Sequence, residues 1–255
     1  GVHVSSSALQ IRPEDIAKIE KRAKFTVAII GCNETGVLHA LLFLQAGFSV
    51  ICADADQTVT NNLAKGKTPF LRRNTELDLR KHLKTGRLAL TNDIRTATTR
   101  SDIIAITSKA KIDKKKNVDY SGLENMCRQV GSALRHGSLV IIIGVTGVGM
   151  IESSIKGKLE NASGFKVGAD FGLAYSPFHM WGGTEPENIA NKMRVVAAVD
   201  KTSLDVASTV LDTISKNGVR KTPDIKLAEA ATLFEATERD VDVALAGELA
   251  LFCEK

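Results

Sequence analysis

The sequence predicts an α/β chain, a doubly wound and mostly parallel sheet followed by one long helix. Three observations carry that expectation. β-Branched apolar runs alternate with helical patterns along most of the 255 residues. The first run ends in a glycine turn, AIIGCNETG (Ala28–Gly36), which opens directly into a helical pattern. The last stretch, from Leu227 onward, keeps helical character to the end. Strands that are apolar almost throughout are those covered by helices on both faces, and such alternation implies right-handed crossovers.

The elements follow in order. Residues 1–10 read as a loose leader, and Pro13 opens a short helix over 14–23, because proline is favoured in a first turn. FTVAII (25–30) is the first strand, and helix 36–46 follows with Val37, Leu41 and Leu44 on its apolar side. FSVICAD (48–54) is a second strand, followed by helix 56–64. Helical stretches near 74–84 and 92–98 lead to the strand SDIIAIT (101–107), and helix 119–135 leads to SLVIIIG (138–144). Two added strands are expected at 169–176 and 193–200, then helix 202–216. In the closing helix Leu227, Ala231, Phe234, Val241, Ala244 and Leu245 mark an apolar face, with Glu229, Glu235, Glu238 and Asp242 mostly off it. The domain boundaries expected are a leader over 1–23, the sheet domain over 24–223 and the helix over 224–255.

Composition narrows the function classes. Hydrophobic residues at 44% and charged ones at 25% are ordinary for a globular protein with a sizeable core. The net charge of +5 is mild and spread along the chain, and aromatics are 5%, so neither a phosphate-binding surface nor base stacking is indicated and no nucleic-acid partner is expected. The four cysteines, Cys32, Cys52, Cys127 and Cys253, form no CxxC pair; reduced, buried thiols in a cytoplasmic protein are the expectation. The five histidines show no HxxxH or HExxH spacing, so no metal is expected. The longest apolar run, 139–151, is too short to cross a bilayer, and no membrane partner is expected. The chain opens on glycine rather than methionine, with no charged-then-apolar leader, which predicts a trimmed or processed N-terminus outside the secretory route.

The glycine turn is the first candidate site. A dinucleotide turn needs a tight bend after the first strand, bare backbone beside a pyrophosphate, and close helix–strand packing. Gly31 suits the bend and Gly36 the packing, and Asp54 stands at the end of the second strand where an acid grips ribose hydroxyls and disfavours a 2′-phosphate, so the pattern favours NAD over NADP. The candidate cofactor residues are therefore Gly31, Cys32, Asn33, Glu34, Thr35, Gly36 and Asp54, in a Rossmann-like sheet. Against this, Asn33 puts a side chain where backbone should meet the phosphates, and Glu34 puts a negative charge at the helix end that attracts anions. A like-charge contact there costs on the order of 1 kcal/mol. Two readings stay open: a cofactor site, or a strand–turn–helix that keeps its glycines for packing only.

Several stretches resemble one family. GVLHALLFLQAGFSVICADAD, TGRLALTNDI, SGFKVGADFGLAYSP and LAEAATLFEATERDVDVALAGELALFCEK are similar to the nucleotide-sugar dehydrogenases of the UDP-glucose/GDP-mannose dehydrogenase family, above all to UDP-N-acetylmannosamine dehydrogenases. The resemblance covers nearly all of residues 24–255 and implies an NAD domain, a long central helix at a dimer interface, and oxidation of a sugar alcohol to a carboxylate through a cysteine thioester. It also locates the family's reactive positions in this chain, and those positions are changed. The turn G-x-G-Y-V-G reads GCNETG. The loop P-x-x-E-P-G-L reads PFLRRNTEL, with Arg72 at the acid's place. The loop V-x-T-P reads SKAKIDKKK (Ser108–Lys116), and S-T-V-P-P-G-T reads GVTGVGM, with Val145 in the catalytic threonine's column. S-P-E reads Ser176-Pro177-Phe178; the lysine of the central helix aligns with Thr232, the asparagine beside it with Ala236 and a later asparagine with Gly247, while Arg239 and Glu248 persist. Gly36, Asp54, Asp170 and Pro177, which serve as scaffold, persist too. The family's cysteine lies beyond the central helix, and Cys253 falls within it, so no catalytic residue is assigned.

Removing single groups of such a set costs factors of about 10² to 10⁴ in rate. The first expectation is thus a degenerate homologue, a pseudoenzyme with a binding, regulatory or structural role, paired as a homodimer through 224–255 or with a protein partner. The alternative is the N-terminal portion of an active NAD-dependent UDP-sugar dehydrogenase whose cysteine-bearing half lies outside this sequence. A third reading makes Lys109, Lys111, Lys114, Lys115 and Lys116 a polyanion site, although such a run is more often a solvated loop. His179 and Trp181 either line a remodelled pocket or pack as ordinary loop residues.

Overall fold

The computed structural model describes residues 7–107, 111–112, 114–179 and 185–254. Lys109 and Trp181, which the sequence reading singled out, lie outside them. After a single 3-10 turn (Ala8–Gln10) come α1 (Pro13–Ile16), α2 (Ile19–Arg22), β1 (Thr26–Ile30), α3 (Glu34–Gln45), β2 (Ser49–Ala53), α4 (Gln57–Ala64), α5 (Arg73–Lys84), β3 (Leu88–Thr91), α6 (Ile94–Thr99) and β4 (Ile103–Thr107). A small antiparallel pair, β5 (Lys111–Ile112) and β6 (Val118–Asp119), precedes α7 (Ser121–Gly131) and β7 (Leu139–Gly144). A wide turn over Ile151–Ile155 runs into α8 (Lys156–Ser163); then follow β8 (Gly172–Pro177), α9 (Pro186–Ala190), β9 (Arg194–Ala198), α10 (Lys201–Asp212), β10 (Val219–Thr222) and α11 (Ile225–Cys253).

The main sheet has the order β10-β9-β8-β7-β4-β1-β2-β3. Its pairs are parallel except β8 with β9, where Ala174 faces Ala198 and Tyr175 faces Ala197. Chain order reverses between β1 and β4, and the crevice at the carboxyl ends of those two strands is the switch point at which sheets of this class take ligands. The central strands β1, β4 and β7 are buried along nearly their whole length, as their β-branched runs require. Two apolar layers cover them, one around α3, α10 and Phe43, the other around α7, α8 and Phe171.

Three expectations about elements change. The helix expected over 14–23 is two four-residue helices, because Lys18 takes an extended conformation between them and the Arg22 guanidinium donates to the carbonyls of Ile16, Ala17 and Ala46 instead. β3 and β10 lie at the two sheet edges, short and part-exposed, and carry no apolar run to announce them. The inward face of α11 is Ile225, Ala228, Glu229 and Thr232, not the apolar stripe read from the sequence, whose Leu227, Phe234, Val241 and Leu245 are exposed. No helix among the described residues is long and apolar enough to cross a membrane.

Candidate functional site

The structure brings the six turn residues Gly31–Gly36 together at the β1/β4 crevice, with Asp54 beside them. Gly31 has φ +95, a backbone conformation that side chains disfavour, and a Cβ there would lie 2.2 Å from the Thr107 carbonyl oxygen. At Gly36 a Cβ would lie 2.0 Å from the Gly31 carbonyl oxygen, so β1, β4 and α3 meet backbone to backbone. The Thr107 hydroxyl donates to the Gly31 carbonyl at 2.6 Å and ties the bend to β4. These two glycines are required by packing alone.

Asp54 is held beside the same turn. Its Oδ2 accepts from the Cys32 N–H at 2.8 Å and its Oδ1 from the Asp56 N–H at 3.0 Å. Thr35 is buried and its carbonyl pairs with His39. Asn33 is the N-cap of α3: its Oδ1 accepts from the Gly36 N–H at 3.0 Å, and its Nδ2 donates to the Thr107 carbonyl at 3.2 Å. The amide of Asn33 therefore spans the switch-point crevice from the first turn of α3 to the end of β4. The N–H groups of Asn33, Glu34 and Thr35 have no acceptor among the described residues, so donors for an anion remain. Asp54, three open backbone donors, the bridging Asn33 amide and the half-buried Glu34 thus meet at one crevice.

A second site lies at the other end of the carboxyl edge, where β8, β9 and α11 converge. A cavity of about 160 Å³ is lined there by Phe178, Arg194 and Thr232 among others. Phe178 and Thr232, the places that the resemblance gives to an acid and a lysine, thus share one cavity although 54 positions separate them (232 − 178). Neither supplies reactive chemistry: Phe178 is a hydrocarbon ring, and the Thr232 hydroxyl donates back to the Ala228 carbonyl at 2.9 Å. Arg72 and Val145 are not among the described lining residues. Arg72 pairs with Glu185 at 3.3 Å, and Val145 is half-buried.

Sequence reading missed three residues that organise this end. Arg194 opens β9 and is 5% exposed. Its Nε donates to Ser215 Oγ at 3.2 Å and its Nη1 to His39 Nε2 at 3.1 Å, and its guanidinium carbon stands 5.8 Å from the centre of the Phe178 ring. Burial pulls its pKa down to about 10, which leaves it a cation at neutral pH. His39, fully buried on α3, donates from Nδ1 to the Thr35 carbonyl at 2.7 Å and accepts from Arg194, so it is neutral; burial first, and the Arg194 charge second, pull its pKa down to about 3. Glu229 is fully buried under α11, where it accepts from Thr146 Oγ1 at 3.1 Å, the Ile151 N–H at 3.0 Å and the Gly149 N–H. It fastens α11 to the loop after β7. His39 and Arg194 are 155 positions apart and follow no spacing rule; only a polar residue inside an apolar helical run, LHALLF, hints at a buried partner.

The other candidates stay apart. Lys111, Lys114, Lys115 and Lys116 are exposed. Ala236 is half-buried, and Gly247, Arg239 and Glu248 lie on the exposed length of α11. Cys32, Cys52 and Cys127 are buried free thiols, and Cys253 is exposed. Burial pushes the Cys127 thiol up to about 12, and a hydrogen bond with Cys52 together with burial raises that of Cys32.

Comparison with known proteins bears on the family and the fold. Residues 25–215 match the model of the UDP-glucose/GDP-mannose dehydrogenase family, NAD binding domain. The chain is 26% identical over 229 residues to a UDP-N-acetyl-D-mannosamine dehydrogenase of Pyrococcus horikoshii, covering 90% of this chain and 54% of the relative. It is 26% identical over 203 residues to a GDP-mannose 6-dehydrogenase of Pseudomonas aeruginosa, covering 78% of this chain and 47% of the relative. Among solved structures, that of the Pyrococcus horikoshii dehydrogenase superposes with a TM-score of 0.82 over 89% of this chain and 53% of its own. That of an NDP-N-acetyl-D-galactosaminuronic acid dehydrogenase from Methanosarcina mazei superposes with a TM-score of 0.77 over 98% and 53%, at 26% identity. The chain spans about half the length of the curated relatives it matches.

Proposed function

We propose that this chain, which belongs to the UDP-glucose/GDP-mannose dehydrogenase family, uses the NAD-domain fold for binding and lacks dehydrogenase chemistry of its own. The carrying observation is the β8–α11 cavity, where the positions of an acid and a lysine hold Phe178 and an internally bonded Thr232. A ring and a hydroxyl facing its own helix neither position water nor stabilise an oxyanion. The Asn33 bridge supports the same reading at the cofactor end, because binding of NAD would have to displace an N-cap and its link to Thr107. Pairing through 224–255 belongs to this proposal, since the outer length of α11 presents Val241, Leu245, Leu249 and Phe252 to solvent.

Calorimetric titration with NAD and with ADP-ribose tests it, alongside NADH absorbance in the presence of UDP-N-acetylmannosamine. The expected result is no saturable heat at millimolar cofactor and no NADH. Asn33→Gly is expected to restore the bare backbone and tighten ADP-ribose binding at least roughly tenfold, while costing only about a few tenths of a kcal/mol as a cap change. NADH formation by the chain alone overturns the reading.

A second reading rests on length: a chain spanning about half of its relatives is also what the N-terminal portion of a larger dehydrogenase looks like. A glycine-rich segment with a cysteine encoded after Lys255, and activity of that longer protein, would establish it. It would then have to work with Arg72, Val145, Phe178 and Thr232 in place.

A further inference from the structure

The Arg194 cation has no counter-ion among the described residues. Its acceptors are a hydroxyl and a neutral imidazole, its Nη2 has no hydrogen-bond partner among the described residues, and no carboxylate among them lies within ion-pair distance of it. A guanidinium this deeply buried is ordinarily matched by a carboxylate, because desolvating an unpaired ion is expensive. Among the described residues the face of Phe178 adds a weaker cation–π attraction. Arg194 also borders the 160 Å³ cavity, whose walls are otherwise largely Pro177, Phe178, Ile189, Met193, Ala228 and Ala231. Lys192, His179 and the exposed Glu235 also line it.

We propose that this cavity binds a small organic monocarboxylate, whose carboxylate supplies the missing counter-ion of Arg194 and whose apolar body fills the space against Phe178 and α11. The class follows from the lining. A guanidinium offers its N–H groups in one plane and so matches a carboxylate better than a point charge does. The apolar walls favour a carbon body over a hydrated inorganic ion, and the volume is about that of an engineered cavity that holds benzene. The proposal goes beyond the cofactor reading and does not depend on it: the cavity lies at the β8–α11 end, and every measurement below is made without NAD.

Benzoate and butyrate are the probes, titrated by calorimetry and by thermal melting at constant ionic strength, with chloride, phosphate and benzyl alcohol as controls. The expected result is saturable millimolar binding of benzoate and a melting temperature raised by roughly 3 °C at saturating ligand. Phe178→Glu would place a carboxylate where the ring now faces the guanidinium. It is expected to raise the melting temperature in chloride and to weaken benzoate at least roughly tenfold, since the site then carries its own anion. Should Phe178→Glu show no cooperative melting, Ala231→Phe takes its place, because Ala231 is exposed on α11 and the larger ring would plug the cavity with Arg194 itself unchanged; benzoate binding is again expected to fall at least tenfold. An equal response to benzyl alcohol, tighter binding of phosphate, or an undiminished benzoate response in the variant that folds would each overturn the proposal.

Discussion

The two ends of the sheet's carboxyl edge are closed in opposite ways. At the β1–α3 turn side chains and backbone tie the chain together: Asn33 bridges Gly36 and Thr107, Asp54 holds Cys32, and two glycines let backbone touch backbone, with only the N–H groups at the start of α3 left open. At the β8–α11 cavity the chain leaves a buried cation beside a phenyl ring and empty volume. The end with the familiar binding spelling is bridged by a side chain and offers only backbone donors, while the end whose reactive positions are changed holds a buried charge with no carboxylate beside it among the described residues. A glycine pattern thus reports first on packing, and a ligand has to be argued from groups left without partners.

The largest test of the contrast is Gly36→Ala. The new methyl would sit 2.0 Å from the Gly31 carbonyl oxygen, and backbone cannot give way there without separating α3 from β1. A loss of about 4 kcal/mol in urea unfolding, or failure to fold, is expected. A loss below about 1 kcal/mol would mean that the glycine is kept for a ligand rather than for packing.

Next comes Glu229→Ala, which acts on the cavity end. Three donors that now share one buried carboxylate would be left without it, and α11 would lose its fastening to the loop after β7. About 3 kcal/mol is the expected cost, whereas Thr232→Ala, which removes a hydroxyl that donates to its own helix and neighbours the Tyr175 hydroxyl, is expected to cost about 1 kcal/mol.

His39 joins the two ends, since it bonds Thr35 in the turn and Arg194 at the cavity. Its folded pKa of about 3 lies below the ordinary 6.5, so between those values the unfolded chain binds a proton that the folded one refuses. The stability that His39 contributes is therefore complete above about pH 6.5 and declines as pH falls toward 3. The expected loss is about 2 kcal/mol between pH 6 and pH 4.5 from this group. Urea unfolding of wild type and His39→Gln at both pH values isolates it, and equal slopes for the two proteins would remove His39 from the account.

Much of the fold was legible for the reason that the central strands are buried on both faces. TVAII, SVICA, IIAIT and LVIIIG carry β-branched runs that no exposed segment would keep. The edges were not legible, because a four-residue strand such as VRKT has one partner and little to bury. The turn residues were legible as a set, and so was the conflict at Asn33; what periodicity could not convey is that its amide reaches Thr107 on another strand. Arg194, His39 and Glu229 escaped for the same reason. Each works through a contact distant in sequence, and charge count alone places an arginine or a glutamate on the surface.

The smallest expected effect concerns α11, whose two lengths restate the contrast in one element. Its first two turns bury Ile225, Ala228, Glu229 and Thr232, while from Glu238 onward every described residue is exposed. An unsupported helix of that length is marginal in water, and one that shows Val241, Val243, Leu245, Leu249 and Leu251 to solvent has apolar surface to cover. Leu245→Glu should leave the unfolding free energy of dilute monomer within about 0.5 kcal/mol of wild type, because Leu245 is 57% exposed and touches no core. In the same protein, sedimentation at micromolar concentration should shift from dimer to monomer, since a charge would enter the seam of the proposed pair. A wild-type chain that sediments as a monomer removes the pairing. A dimer that persists in Leu245→Glu moves the seam to another face of the helix, with Phe234 and Phe252, 73% and 79% exposed, as its next anchors.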